Sequence, residues 1–380
     1  MKPDYHNSIV NLISSIAEVF NVQCTYPPLR CKSLYDLEDA RHILLLVVDG
    51  LGYNHLKNYA PDSLLQKHLT DSITSVFLPS TGSAITSIMT GVAPQQHCVT
   101  GWFVYLREYG VVSRILPYSN TIDHNLLGSD ISNVVSVKPI LTSIGPNYSL
   151  VMPEQIADSV FTKNLTHNAN RIRYSGLRQF FKKIGRAVVQ SKSKSYIYGY
   201  WPGLDASAHM HGSSSTEAQQ QLKEFDNHLL TLIESLEGSD TKIIVTGDHG
   251  FNDVEQTNVI YTHEHPAFEE CLILPLCGDT RSVYAYVRSR KIDQFEKYVH
   301  TKFENACELR SSADLIEDNW FGLYNAHPRL YDRVGDYTLI FNEGNAIVNC
   351  FPGFEPLVMA GHHGGISTNE MLVPLCVFDC

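Results

Sequence analysis

Apolar residues along this chain follow two distinct spacings. Over residues 8–20 they fall at Ile9, Val10, Leu12, Ile13, Ile16, Val19 and Phe20, the three-and-four spacing of a single helix face, which predicts an amphipathic helix. Residues 43–48 are instead an unbroken apolar run closed by Asp49-Gly50, the pattern of a strand buried on both faces. The arrangement recurs at 195–200, ahead of Asp205, and at 242–246, ahead of Gly247-Asp248-His249-Gly250. Between these two, Leu222, Phe225, Leu229, Leu230, Ile233 and Leu236 form a helical stripe over 216–237. Strands alternating with helices predict an α/β fold with a mostly parallel central sheet flanked by helices. In such sheets ligands gather beyond the carboxyl ends of the strands, where this chain places its Asp and His residues.

From about residue 266 to 351 the pattern changes. Residues 282–287 alternate like a half-buried strand, 292–303 have helical spacing, and 337–341 read as a second strand. The expected organisation is a catalytic α/β core over 1–265, a small α+β inserted subdomain over 266–356, and a return to the core over 357–380. The length of 380 residues allows a core of that size. A net charge of -11 argues against binding duplex nucleic acid through its phosphates. Nine scattered cysteines without a CxxC pair suggest neither a disulfide framework nor a thiolate zinc site, and point to a reduced compartment. The first 21 residues lack the basic start and apolar block of a secretory signal, and no stretch reaches the roughly 18 apolar residues of a membrane span. A cytoplasmic protein acting on a small molecule is the expectation. The oligomeric state leaves no trace in the pattern.

The chemistry is carried by residues at the ends of these runs. Asp49 alone reads equally well as a helix cap, and Gly50-Leu51-Gly52 lacks the third glycine of a dinucleotide fingerprint because His55 stands there. Asp205 and His209, four apart, face the same way on a helical turn and can chelate one ion, with His211 as a rival. Asp248-His249 lies between glycines directly after an apolar strand, and His363, with His362 beside it, has the same glycine setting. Carboxylate and imidazole are the usual ligands of a catalytic zinc, so this set can hold two divalent ions. The turn Leu78-Pro79-Ser80-Thr81-Gly82 leads into a helical segment whose first N–H groups would face an anion. It supplies a hydroxyl nucleophile from Ser80, Thr81 or Ser83.

These segments together resemble the alkaline phosphatase superfamily, and within it the nucleotide pyrophosphatase and type I phosphodiesterase branch. The resemblance runs through residues 44–50, 77–102, 198–212, 244–253 and 361–375. It implies Asp49, Thr81, Asp248 and His249 on one metal and Asp205, His209 and His363 on the other, zinc foremost and manganese second. It implies Thr81 as nucleophile, a phosphothreonine intermediate, and hydrolysis of a phosphodiester or pyrophosphate in a nucleotide derivative. Where the branch has an asparagine three residues past the nucleophile this chain has Ala84, so the Gly82 N–H is assigned to the phosphate oxygen. Phe103 and Tyr105 are assigned to the substrate wall. No arginine stands between Arg41 and Arg107, which favours diesters over monoesters, whose extra charge needs a further cation. Hydrolysis of a phosphomonoester or phosphonate at the same site is the alternative, and a non-catalytic metal-binding protein of the same fold a third.

Overall fold

The apolar run forms strand His42–Val48, every residue of it buried. Its side chains divide by alternation: Ile43, Leu45 and Val47 join one core, Leu44, Leu46 and Val48 another. The first core is closed by helices Ile9–Glu18 and Thr81–Thr90, the second by Leu177–Gln190 and Thr216–Ser235. Each aliphatic side chain so enclosed stabilises the fold by roughly 1.5–3 kcal/mol, which fixes this strand at the centre of the molecule. The computed structural model describes residues 1–145, 147–351, 353, 355–356 and 358–380.

The main sheet has seven strands in the order Leu69–Thr74, Leu372–Asp379, Thr241–Thr246, His42–Val48, Ser195–Trp201, Tyr148–Pro153, Asn170–Tyr174. Strand 42–48 runs parallel to both neighbours, with Leu45 opposite Tyr198 and Ile244, so three carboxyl ends come out side by side. Strand Leu372–Asp379 is antiparallel to both of its neighbours. This is the mixed, mainly parallel α/β core that the spacing predicts.

A second seven-stranded sheet is antiparallel throughout: Cys307–Ser311, Tyr337–Phe341, Ser282–Ala285, Cys277–Gly278, Phe103–Leu106, Val111–Arg114, Ser119–Asn120. Here the chain differs from a self-contained 266–356 insertion. That segment supplies four strands, and three come from 103–120, joined where Gly278 pairs with Phe103. Strands of four residues or fewer with one face half-exposed carry no continuous apolar run, which is why 103–120 has no strand signature. Among the described residues no helix is long and apolar enough to cross a membrane.

Candidate active site

Asp49 follows strand His42–Val48 directly, and Asp248-His249 follows Thr241–Thr246 after a single glycine. Because those strands are neighbours, the three side chains converge, their ligand atoms all within 4.8 Å of one another. His249 Nδ1 lies 3.1 Å from the Gly250 carbonyl, so it carries the proton and leaves the Nε2 lone pair facing the cluster. That Nε2 is 3.5 Å from Asp49 Oδ1 and 3.6 Å from Asp248 Oδ2. The other Asp248 oxygen accepts from the N–H groups of Gly50 and His249, at 3.1 and 3.0 Å. Tyr200, at the end of the third strand, donates its hydroxyl to Asp49 Oδ2.

Asp205 and His209 share one face of helix Gly203–His211, with His209 Nε2 3.4 Å from Asp205 Oδ1. His209 donates from Nδ1 to the Gly361 carbonyl at 2.9 Å, which turns Nε2 toward the cleft. His363 stacks on His249 with ring centroids 3.9 Å apart and lies 5.0 Å from the His209 ring. Asp205, His249 and His363 form a second group with ligand atoms within 4.8 Å. The structure therefore brings all six metal-ligand candidates of the sequence, together with Thr81, into one cleft. It also puts His249 in both groups, where the resemblance gives it to one ion and gives the second ion His209.

The charges of this cluster are out of balance on their own. Burial, then the charges of Asp205 and Asp248, hold the Asp49 carboxyl well above the usual range. Burial pushes Asp248 up to about 7. Burial would also raise Asp205, but the neighbouring His209 outweighs it and holds the carboxyl low. His209 would itself be lowered by burial, yet Asp205 raises it to about 9. His363 is held well below its ordinary value by burial and by His249 and His209. Asp49 Oδ1, Asp205 Oδ1 and Asp248 Oδ2 are buried without a hydrogen-bond partner. Oxygens in that state cost several kcal/mol unless a cation meets them, and oxygen with imidazole nitrogen suits zinc or manganese, so the residues fit two divalent ions.

Thr81 is the first residue of helix Thr81–Thr90, and its Oγ1 lies 3.2 Å from His249 Nε2. The preceding Ser80 does not cap this helix, because its hydroxyl donates instead to Asp279 Oδ2 at 2.6 Å. With no side chain capping it, the positive end of the helix dipole faces the space beside Thr81. Gly82 sits in that first turn; a Cβ there would lie 2.5 Å from the Gly101 carbonyl, so the position admits only glycine. Phe103 lines the cleft with Thr81, Asp205 and His363. Tyr105 does not: it lines a separate groove with Arg107 and Asp332, its ring 5.2 Å from that of Tyr286. Two residues along a strand is roughly 6.6 Å, enough to carry Tyr105 past the end of the cleft.

Sequence reasoning passes over Asp279. It comes from the turn after Cys277–Gly278, is buried, and stands 3.5 Å from His363 Nδ1 while accepting from Ser80. Burial raises its carboxyl to about 6. Gly364 leaves room for it, since a Cβ there would lie 2.6 Å from Asp279 Cβ. A carboxylate behind a histidine fixes its ring and tautomer. Asp279→Ala is therefore expected to weaken retention of one metal ion by roughly 10- to 100-fold, while Asp279→Asn keeps the Ser80 contact and loses less. Metal titration followed by elemental analysis checks this, and equal retention in wild type and Asp279→Ala would contradict it.

Murine ectonucleotide pyrophosphatase/phosphodiesterase 5, solved as an inactive variant in complex with AMP, superimposes with a TM-score of 0.65 at 17% identity, over 88% of this chain and 87% of that one. The human protein of that name gives 0.64 at 15% identity over 88% and 87%. Phosphonoacetate hydrolase from Sinorhizobium meliloti 1021, in complex with phosphonoformate, gives 0.63 at 15% identity, over 89% and 90%. No curated protein sequence matches. The family model described as type I phosphodiesterase / nucleotide pyrophosphatase matches residues 43–365, from the strand that delivers Asp49 to the loop that delivers His363. The chain therefore belongs to the type I phosphodiesterase / nucleotide pyrophosphatase family of the alkaline phosphatase superfamily.

Proposed function

We propose that this protein hydrolyses phosphodiester or pyrophosphate bonds, with nucleotide derivatives as the leading substrates, by way of a phosphothreonine at Thr81. The observation that carries the reading is the convergence of Asp49, Asp205, His209, Asp248, His249 and His363 around the Thr81 hydroxyl at an uncapped helix start. Asp49, Asp248 and His249 would hold one divalent ion and Asp205, His209 and His363 the other, zinc foremost, and such ions stabilise an alkoxide and the charge building on a phosphoryl group. Tyr200 holds Asp49, and the Gly361 carbonyl holds His209, in position for that task. Thr81 Oγ1 forms the new bond to phosphorus as the ester oxygen departs; water then cleaves the threonine ester and restores the hydroxyl.

Diesters are favoured by what the walls lack. Among the described residues neither cavity beside Thr81 is lined by lysine or arginine. Arg173, a distant candidate, pairs with Asp158, and Arg281 is buried against Glu370. A diester presents one negative charge, which paired ions can meet, whereas a monoester dianion or a carboxylated phosphonate presents more. Phosphonate hydrolysis is the second reading, suggested by the likeness to phosphonoacetate hydrolase. Assays of metal-loaded protein on bis(4-nitrophenyl) phosphate, 4-nitrophenyl phosphate and phosphonoacetate separate the two. The diester is expected to be preferred by at least tenfold in kcat/KM; preference for either of the others would overturn the proposal.

A further inference from the structure

His363 begins a turn that is held from inside the molecule. Two residues on, the Gly365 N–H donates to Glu370 Oε1 at 2.8 Å, and the Ser367 hydroxyl donates to Glu370 Oε2 at 2.6 Å. Arg281 meets the same two oxygens from the other side, with Nε on Oε1 at 3.0 Å and Nη2 on Oε2 at 3.1 Å. Its remaining nitrogen, Nη1, donates to the carbonyls of Asn342 and Asn345. Both side chains are fully buried. Arg281 comes from the antiparallel sheet, directly before strand Ser282–Ala285, and Glu370 from the main core, just ahead of strand Leu372–Asp379. The pair therefore ties one sheet to the other beside the cleft. The same construction reaches the other ligand-bearing turns. The main-chain carbonyl of Glu370 accepts the Gly250 N–H at 2.8 Å, one residue past His249. The Asn369 carbonyl packs so closely on Gly250 and Gly52 that a Cβ would lie 1.9 and 2.9 Å from its oxygen. On the Arg281 side, Asp279 is two residues away and faces His363 Nδ1 at 3.5 Å.

Resting on the two-ion reading above, we infer that Arg281 and Glu370 are positioning residues for His363, and that their ion pair fixes the His363 turn against the Asp248-His249 turn. A buried ion pair is a poor source of stability, because desolvation of both charges offsets most of their attraction. What this one supplies is placement. The planar guanidinium holds the carboxylate in one orientation, and each oxygen so held is aimed at one donor of the His363 turn. Gly365 allows the approach, since a Cβ there would stand 2.7 Å from Glu370 Oε2. The histidine then reaches the cleft from a backbone that is already set before any ion arrives.

The test measures zinc binding to the full-length protein by competition with a chelator, together with the count of bound ions and the melting temperature. Arg281→Met/Glu370→Leu removes both charges and leaves Gly365 and Ser367 without an acceptor, whereas Arg281→Met/Glu370→Gln removes both charges and keeps one. The two double variants should melt within about 4 °C of each other. The leucine variant should hold one of its two ions roughly 10- to 100-fold more weakly than wild type with the other unchanged, and the glutamine variant should recover most of that loss. Equal zinc affinities in wild type and both variants overturn the inference, and so does equal weakening of both ions, which is what general loosening gives. Metal-free wild type supplies a check that needs no substitution. Its Gly365 amide should exchange hydrogen at least tenfold more slowly than an unstructured peptide, because Glu370 and not an ion holds the turn; exchange at the unstructured rate overturns the inference. If wild type binds no divalent ion, the two-ion reading falls and this inference with it.

Discussion

Replacing Thr81 with alanine is expected to lower diester turnover by roughly 10³- to 10⁶-fold, the span seen when an enzyme loses its nucleophile. Among the described residues that line both cavities, Thr81 supplies the one hydroxyl, and the helix start beside it is uncapped. Ser80 cannot substitute, because its oxygen is committed to Asp279, and Ser83 is turned away toward the carbonyls of Leu78 and Ser80. Retention of metal should change little, since Asp49, Asp248 and His249 converge without the threonine. Rapid-quench trapping of a phosphorylated chain in wild type, and its absence in Thr81→Ala, measures the same step directly. Full activity in the variant would remove Thr81 from the chemistry.

The second large effect concerns His249. Its ring belongs to both ligand groups, facing Asp49 and Asp248 on one side and stacking on His363 on the other. A neutral imidazole that donates from Nδ1 has one lone pair, so His249 holds one ion; His249→Ala should reduce bound metal from about two ions per chain to about one, and Asp205→Asn should likewise remove about one. Without that ion the Asp49 and Asp248 carboxylates face each other in a buried space. The alanine variant should then melt several degrees lower than wild type, and added zinc should not restore it. Elemental analysis after gel filtration decides the matter. Two retained ions in His249→Ala would remove His249 from the ligand set.

Much of this site is legible in the amino-acid order, because its donors sit where apolar runs end. Asp49 and Asp248 are placed by strands buried on both faces, which show in the sequence as runs of Ile, Leu and Val: residues 43–48 in the first, and Ile243, Ile244 and Val245 in the second. Edge strands are another matter. Leu69–Thr74 and Asn170–Tyr174 expose polar side chains and alternate with too little contrast to be read. The second sheet hides for a related reason: short strands from 103–120 and 277–341 have meaning only as neighbours. Asp279 is invisible in sequence because its partner Ser80 is 199 residues away and nothing near it marks a ligand. The approach of His249 to Asp205 and His363 is likewise a matter of distance across the cleft, between segments far apart in sequence.

Strand Leu372–Asp379 is inserted between 69–74 and 241–246, and the turn that carries His363 leads into it. Until that strand is made, 69–74 has no neighbouring strand in the main sheet, while 241–246, 42–48, 195–201, 148–153 and 170–174 are already contiguous. Residues 360–379 therefore supply both a strand of the main sheet and one of the candidate metal ligands, His363. A chain cut before residue 360 thus loses His363 and, with it, the strand that ties 69–74 to the rest of the sheet.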